Sequence, residues 1–75
     1  MFGRKTLLQR SIRRRFAVTL AQGEGEFIGV LVESDADMYV FDDCYLIERE
    51  GRSKISGRVY VDRISVAYLQ ELAGG

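Results

Sequence analysis

Three consecutive segments have the apolar patterns of β-strands, which predicts a β-meander. In residues 16–20, Phe16, Val18 and Leu20 alternate with smaller or polar neighbours, the period of a half-buried strand. Residues 27–32 are nearly all apolar, as expected of a strand that is buried on both faces. Residues 38–47 form the third predicted strand. Glycines near position 24 and the segment 35–37 supply the turns between the strands.

Two irregularities in this meander predict where it bends. Gly29 lies in the middle of the second strand, where the missing side chain indicates a sharp bend or a close backbone approach. Asp42 and Asp43 interrupt the apolar pattern of the third strand, so we expect a β-bulge or a change of the exposed face there.

The rest of the chain predicts one helix and two more strands. Thr6 and Gln9 fit a capping box, and Leu8 and Ile12 form an apolar stripe, so residues 5–15 are predicted to be helical. Residues 48–54 are predicted to be a charged loop. Residues 56–61 and 64–69 are predicted to be the fourth and fifth strands, followed by a frayed tail at 70–75. The fold class is therefore mainly β: a short N-terminal α-helix, then a five-stranded, strongly bent antiparallel SH3-like barrel in a single domain.

Composition narrows the possible functions. The chain has 75 residues, 47% of them hydrophobic, and no proline, which is typical of one small globular domain. One cysteine, Cys44, and no histidine argue against an intrachain disulfide and against the usual zinc sites. No segment resembles a membrane span or a secretory signal, so we expect a soluble, intracellular, cytoplasmic protein. No nucleophile or phosphate-binding motif is present, and we expect neither an enzyme nor a cofactor.

The formal net charge of zero conceals a strong asymmetry. The first sixteen residues hold six of the eleven basic residues and no acidic residue, whereas all eleven acidic residues follow. A basic segment of this kind favours contact with an anionic partner, such as nucleic acid, or with the acidic surface of a neighbouring copy; the alternative is a solvated helix face. The candidate nucleic-acid-binding residues of this segment are Arg4, Lys5, Arg10, Arg13, Arg14 and Arg15. Four aspartates between positions 35 and 43 are interpreted as turn and edge-strand residues rather than as metal ligands.

The order of elements and two motifs resemble the Sm and Sm-like protein family. Residues 29–38, GVLVESDADM, match the first Sm motif, G-x-L-x-x-x-D-x-x-M-N, at every fixed position except the last. The second motif, G-x-V-x-I-R-G-x-x-V-x-Y-I, is matched mainly by apolar positions. Its matching residues are Gly57, Val59, Val61, Val66, Tyr68 and Leu69. The resemblance extends over about residues 5–70.

This resemblance implies a closed ring of identical subunits, hexameric or heptameric, that binds RNA around its pore. In such a ring the fourth and fifth strands pair with neighbouring subunits, which would protect their exposed edges. The pore positions carried over from the motifs are Asp35, Met38, Tyr39, Asp62 and Arg63. Two of these sites depart from the family: Tyr39 replaces the base-reading Asn, and Asp62-Arg63 replaces Arg-Gly. Tyr39 is predicted either to stack a base or to pack in a subunit interface. Arg63 is predicted either to supply a cation to the pocket or to form an intersubunit ion pair with Asp62.

Three functions remain open at this point. The first is an Sm-like homo-oligomeric ring that binds RNA or another single-stranded nucleic acid through its pore loops and basic helix. The second is a structural or adaptor ring, for example one encoded by a phage or mobile element, that binds a protein partner and has lost RNA recognition. The third is a monomeric SH3-like interaction module.

Overall fold

The computed structural model describes residues 13–73 and contains one antiparallel sheet of six strands. The strands are β1 (Arg15–Leu20), β2 (Glu26–Ser34), β3 (Met38–Glu48), β4 (Gly51–Lys54), β5 (Val59–Asp62) and β6 (Val66–Glu71). Short 3₁₀ turns at Ala21–Gly23 and Arg63–Ser65 join β1 to β2 and β5 to β6. The sheet order is β4-β3-β2-β1-β6, and β5 pairs with β3. The mainly β, bent antiparallel fold is therefore confirmed.

The predicted bend at Gly29 is confirmed by the crowding around its backbone. A Cβ atom at this position would lie 2.6 Å from Cys44 Sγ and 3.1 Å from Phe41 Cβ, so only glycine fits without a shift. Opposite Gly29, the β2–β3 register shifts between the pairs Ile28↔Tyr45 and Val30↔Asp42. This shift is the predicted bulge in β3, and Asp43 takes a left-handed backbone conformation there, with φ 52°.

The bend lets the two halves of β3 pair with different strands. Its first part pairs with β5, from Met38↔Asp62 to Phe41↔Val59, and its last part pairs with β4. The curved sheet surrounds one hydrophobic core, in which the rings of Phe27 and Phe41 meet edge to face at 5.3 Å. The buried core cluster consists of Phe16, Val18, Phe27, Leu31, Tyr39, Phe41, Cys44 and Val61.

Three predicted elements need correction. The charged segment 48–54 is not a loop, because Glu48↔Gly51 closes a tight hairpin into β4, and the sheet has six strands instead of five. The last strand begins at Val66 rather than at Ile64, which lies in the preceding 3₁₀ turn. This strand continues to Glu71 and pairs with β1 along its length, so residues 70 and 71 are not part of a frayed tail.

The C-terminal end of the predicted N-terminal helix is also wrong. Arg13 has φ 78°, which is incompatible with a right-handed helix, and Arg15 begins β1. The backbone N–H of Arg13 donates to the carbonyl of Leu31, and that of Leu31 donates to the carbonyl of Arg14. Residues 13–15 therefore lie along β2. Residues 5–12 of the predicted helix are outside the described part of the chain.

Strands β5 and β6 form edges of the sheet. Within residues 13–73, β5 pairs only with β3 and β6 pairs only with β1, so one side of each strand has no partner strand. Three large apolar side chains on these two strands and their connection are exposed: Tyr60 by 64%, Ile64 by 90% and Tyr68 by 62%. These edges are where the sequence predicts contacts between subunits.

Candidate nucleic-acid interface

The turn between β2 and β3 is held by the side chain of Asp35. Its Oδ1 accepts hydrogen bonds from the backbone N–H groups of Asp37, at 2.8 Å, and Met38, at 2.9 Å. The backbone N–H of Asp35 donates to the carbonyl of Met38 at 3.0 Å. These backbone donors, with the nearby charge of Arg63, hold the pKa of the Asp35 carboxyl below its usual range. Asp35 therefore fixes the shape of the turn.

Arg63 joins this turn to the connection between β5 and β6. Its Nε donates to the carbonyl of Asp35 at 2.7 Å, and its Nη2 donates to Ser34 Oγ at 3.2 Å. Its backbone N–H donates to the carbonyl of Asp37 at 2.9 Å. These three contacts, two from the side chain of Arg63 and one from its backbone, hold the two loops together.

Tyr39 lies behind Arg63 and is largely buried. Only 7% of its surface is exposed, and its ring centroid lies 6.3 Å from that of Phe41. The guanidinium carbon of Arg63 lies over the same ring, 4.7 Å from the centroid, which is a cation–π contact. In the protomer Tyr39 supports Arg63, which is itself partly buried. The two predicted roles of Tyr39, base stacking and packing in a subunit interface, stay predictions.

An open depression of ≈ 340 Å³ includes Arg63 in its lining. Its lining residues are Ala36, Asp37, Asp62, Arg63 and Ile64. Two of the five predicted pore residues, Asp62 and Arg63, line the depression. The other three are not among its lining residues: Asp35 builds the turn, Met38 begins β3 and Tyr39 contacts Arg63. The motif positions thus come together in space.

Four residues at this site were not predicted as site residues: Ser34, Ala36, Asp37 and Ile64. The first three belong with Asp35 to the turn-forming sequence Ser-Asp-Ala-Asp, and that turn signal could have indicated them. Ile64 was predicted to belong to a strand, because its apolar side chain continued the alternation with Val66 and Tyr68. Its position at the rim depends on the 3₁₀ turn that precedes β6.

Comparison with solved structures identifies the architecture. The SmAP1 heptamer of P. aerophilum matches with a TM-score of 0.78 and 25% identity, over 89% of this chain and 89% of that chain. A heptameric archaeal Sm protein matches with a TM-score of 0.77 and 24% identity, over 87% of this chain and 94% of that chain. The chain has the Sm-like fold. No protein-family model matches the sequence, and neither does any curated protein.

The two motif segments cover different elements of this Sm-like fold. The first motif covers most of β2, the Asp35 turn and the start of β3, including the bend at Gly29. The second motif covers β5, the Arg63 turn and β6. The contacts between Arg63 and the Asp35 turn join them, although Asp62-Arg63 departs from the family's Arg-Gly.

The basic residues of the N-terminal segment are not grouped on a helix where the structure describes them. Arg14 pairs with Glu71 at 2.7 Å, and Arg15 pairs with Asp43 at 3.2 Å, while Arg13 is exposed. Asp43 also accepts a hydrogen bond from Lys54, so this carboxylate links β1, β3 and β4. The contacts with Lys54 and Arg15 lower the pKa of Asp43 below its usual range. Arg4, Lys5 and Arg10 lie outside the described residues.

Three further features of the described residues concern metal sites, membrane-spanning helices and the thiol of Cys44. Among residues 13–73, no three histidine, cysteine, aspartate or glutamate side chains group together as a possible metal site. The same residues include no helix long and apolar enough to cross a membrane. Cys44 is fully buried, and this burial, with the charges of Asp42 and Asp43, raises its pKa to about 11. Its thiol is therefore a packing group rather than a nucleophile.

Proposed function

We propose that this protein forms a closed Sm-like ring that binds single-stranded nucleic acid at the Arg63 depression of each subunit. The observation that carries the proposal is the contact of Arg63 with both Tyr39 and the Asp35 turn. This contact holds a planar cation at the meeting point of the two motif segments. Bases of single-stranded RNA are commonly stacked on aromatic rings or on arginine guanidinium planes. In this protein the stacking surface would be Arg63, with Tyr39 as its support.

Ring formation is supported by the unpaired sides of β5 and β6. Pairing β5 of one subunit with β6 of the next would cover both edges, and a head-to-tail contact whose rotation closes forms a ring. Burial of Tyr60 and Tyr68 would add an apolar contribution, because each is more than half exposed in the protomer. Both matched Sm proteins are heptamers, so we expect about seven subunits.

Analytical ultracentrifugation tests ring formation. Wild-type protein should sediment as one species of about seven times the 8.5 kDa chain. Tyr60→Glu or Tyr68→Glu should dissociate it, because a carboxylate at either strand edge would be buried without a partner. Leu46→Glu is the matched control, since Leu46 is also an exposed apolar residue but lies on β3. A monomeric wild type would reject the ring and favour the isolated interaction module.

Nucleic-acid affinity is proposed to have a second component in the basic N-terminal segment. Arginine and lysine contacts to phosphates give salt-dependent binding with little sequence preference. Arg14 and Arg15 already pair with Glu71 and Asp43, so the phosphate contacts are assigned mainly to the other basic residues of the segment, Arg4, Lys5, Arg10 and Arg13.

Fluorescence anisotropy with single-stranded RNA at several salt concentrations tests this assignment. The full-length triple variant Arg4→Gln/Lys5→Gln/Arg10→Gln should bind more weakly and with a shallower salt dependence. The matched control removes three exposed arginines elsewhere, in Arg49→Gln/Arg52→Gln/Arg58→Gln. If both triple variants lose the same affinity, the effect comes from overall charge and not from the N-terminal segment.

A structural or adaptor ring is the second candidate. It is favoured by the carboxylates of Asp37 and Asp62, which line the depression and would repel phosphate. If wild-type protein forms the ring but binds no RNA at low salt, the adaptor function is the one to pursue, with basic protein segments as the expected ligands.

A further inference from the structure

The carboxylates beside Arg63 impose a constraint on which base the depression can hold. Asp37 and Asp62 are both exposed and line the depression together with Arg63. Within residues 13–73, neither side chain forms an ion pair or a side-chain hydrogen bond, whereas Asp35 uses its carboxylate within the turn. Two acidic residues without such partners in this part of the chain therefore line the same depression as Arg63.

Ionised carboxylates accept hydrogen bonds and donate none. They repel phosphates and the carbonyl oxygens of a base, and they attract N–H groups. Uracil presents two carbonyl oxygens on either side of a single N–H on its pairing edge. Guanine presents two adjacent donors there, N1–H and the N2 amino group, which match the two oxygens of one carboxylate.

We infer that the Arg63 depression selects guanine, which stacks on the Arg63 guanidinium and donates from its pairing edge to Asp37 or Asp62. This inference rests on the proposed nucleic-acid binding and specifies its ligand. This assignment gives a role to the two acidic residues that line the same depression as Arg63. Uracil loses affinity there, since its carbonyl oxygens would face the carboxylates.

Anisotropy measurements with fluorescent RNAs of about ten nucleotides test the preference. The RNAs are alternating adenosine–guanosine, alternating adenosine–inosine, adenosine only and uridine only. Wild-type protein should bind the guanosine RNA at least about fivefold more tightly than the adenosine and uridine RNAs, the range expected of a bidentate base contact. Inosine lacks the N2 amino group, so its RNA should lose most of that advantage.

Two full-length variants separate base selection from general binding. Asp37→Asn/Asp62→Asn should lose the guanosine preference and bind the uridine RNA more tightly than wild type does. Both positions are exposed, so the variant is expected to fold, and its melting temperature checks this. The matched control Glu24→Gln/Glu26→Gln removes two exposed carboxylates from the β1–β2 connection and the start of β2, and it should keep the preference.

The outcomes distinguish this inference from the proposed function. Equal or tighter binding of the uridine RNA by wild type, or an unchanged guanosine preference in Asp37→Asn/Asp62→Asn, would overturn guanine selection. If Arg63→Ala still weakens binding of every RNA in that case, the proposed nucleic-acid site stands without the selection. If wild type binds none of the RNAs, the proposed function and the inference are both rejected.

Discussion

The guanidinium of Arg63 lies over the ring of Tyr39, with 4.7 Å between its central carbon and the ring centroid. Tyr39 is itself part of the hydrophobic core, so this contact connects a surface cation directly to the interior of the barrel. Hydrogen bonds to Ser34 and Asp35 hold the edge of the same guanidinium. The orientation of Arg63 is therefore set by the fold before any ligand binds, which reduces the entropy cost of binding.

Replacing Arg63 with lysine tests the importance of this orientation. Arg63→Lys keeps the charge but loses the planar fork and its two edge contacts. We expect a loss of about 1–2 kcal/mol of unfolding free energy, from one cation–π contact and the hydrogen bonds. RNA affinity should fall about tenfold or more, because a stacking surface is lost. Urea unfolding and anisotropy measure the two effects.

Arg58→Lys is the control for this substitution, because Arg58 is exposed in the segment before β5. It should leave stability and RNA affinity close to those of wild type. If Arg63→Lys binds RNA as well as Arg58→Lys does, the site needs only a positive charge, and stacking on Arg63 is wrong.

Gly29→Ala tests the tight approach of β2 to β3. The added Cβ would lie 2.6 Å from Cys44 Sγ, so the bend must open or the sulfur must move. Overpacking of this kind costs about 1–3 kcal/mol of unfolding free energy. The cost should be smaller in a Cys44→Ala background, where the sulfur is absent. Urea unfolding of wild type, Gly29→Ala, Cys44→Ala and the double variant, all at one protein concentration, measures the coupling between the two positions. Equal costs in both backgrounds would mean that the sulfur does not limit the approach.

Acid should weaken the ion-pair cluster at Asp43. The pKa of this carboxyl lies below its usual value of 3.8 in the folded protein, mainly because Lys54, and then Arg15, donate hydrogen bonds to it. When the pKa of a carboxyl is lower in the folded protein than in the unfolded chain, its ion pairs stabilise the fold at pH values above the pKa of the unfolded chain. This stabilisation is lost as the pH falls through the pKa of the folded protein. Wild type should therefore lose this contribution as the pH falls below about 4.

The variant Asp43→Asn isolates this charge, because asparagine tolerates the left-handed conformation of position 43. At pH 7 it should melt at a lower temperature than wild type, and the difference should shrink as the pH approaches about 3. Glu24→Gln serves as the control for a lost carboxylate outside the cluster. A difference between wild type and Asp43→Asn that does not change with pH would show that the ion pairs contribute nothing to stability.

The thiol of Cys44 should be unreactive in the folded protein. It is fully buried, and its pKa is raised to about 11, so very little thiolate exists at pH 8. We expect a disulfide reagent to label the native protein at least about a hundredfold more slowly than the protein unfolded in guanidinium chloride. In Cys44→Ala/Leu46→Cys, the thiol moves to an exposed neighbouring position and should react quickly. Rapid labelling of native Cys44 would indicate that β2 and β3 separate readily.

Much of the meander could be predicted from the sequence because its strands bury one or both faces. Phe16, Val18 and Phe27 give a clear apolar pattern, and the missing side chain of Gly29 correctly indicates the bend. Strand β4 could not be found in this way, since all four of its residues are exposed and carry no apolar alternation. Its position follows from hairpin pairing with the end of β3.

The candidate site was only partly predictable. The motif positions correctly indicate which loops meet, but Tyr39 is buried among Phe41 and other core residues, which no pattern around it revealed. Arg14 and Arg15 looked like free helical charges in the sequence. Their pairing with Glu71 and Asp43 depends on contacts between distant strands, which become visible only in the folded chain.

Native mass spectrometry of the full-length protein, with and without a short single-stranded RNA, tests the central claim most directly. We predict one closed assembly of about seven 8.5 kDa chains that gains the mass of RNA, and an Arg63→Ala assembly of the same size that gains little or none. A protein that remains monomeric, or a ring whose RNA binding is unchanged by Arg63→Ala, would contradict an Sm-like ring that binds nucleic acid through Arg63.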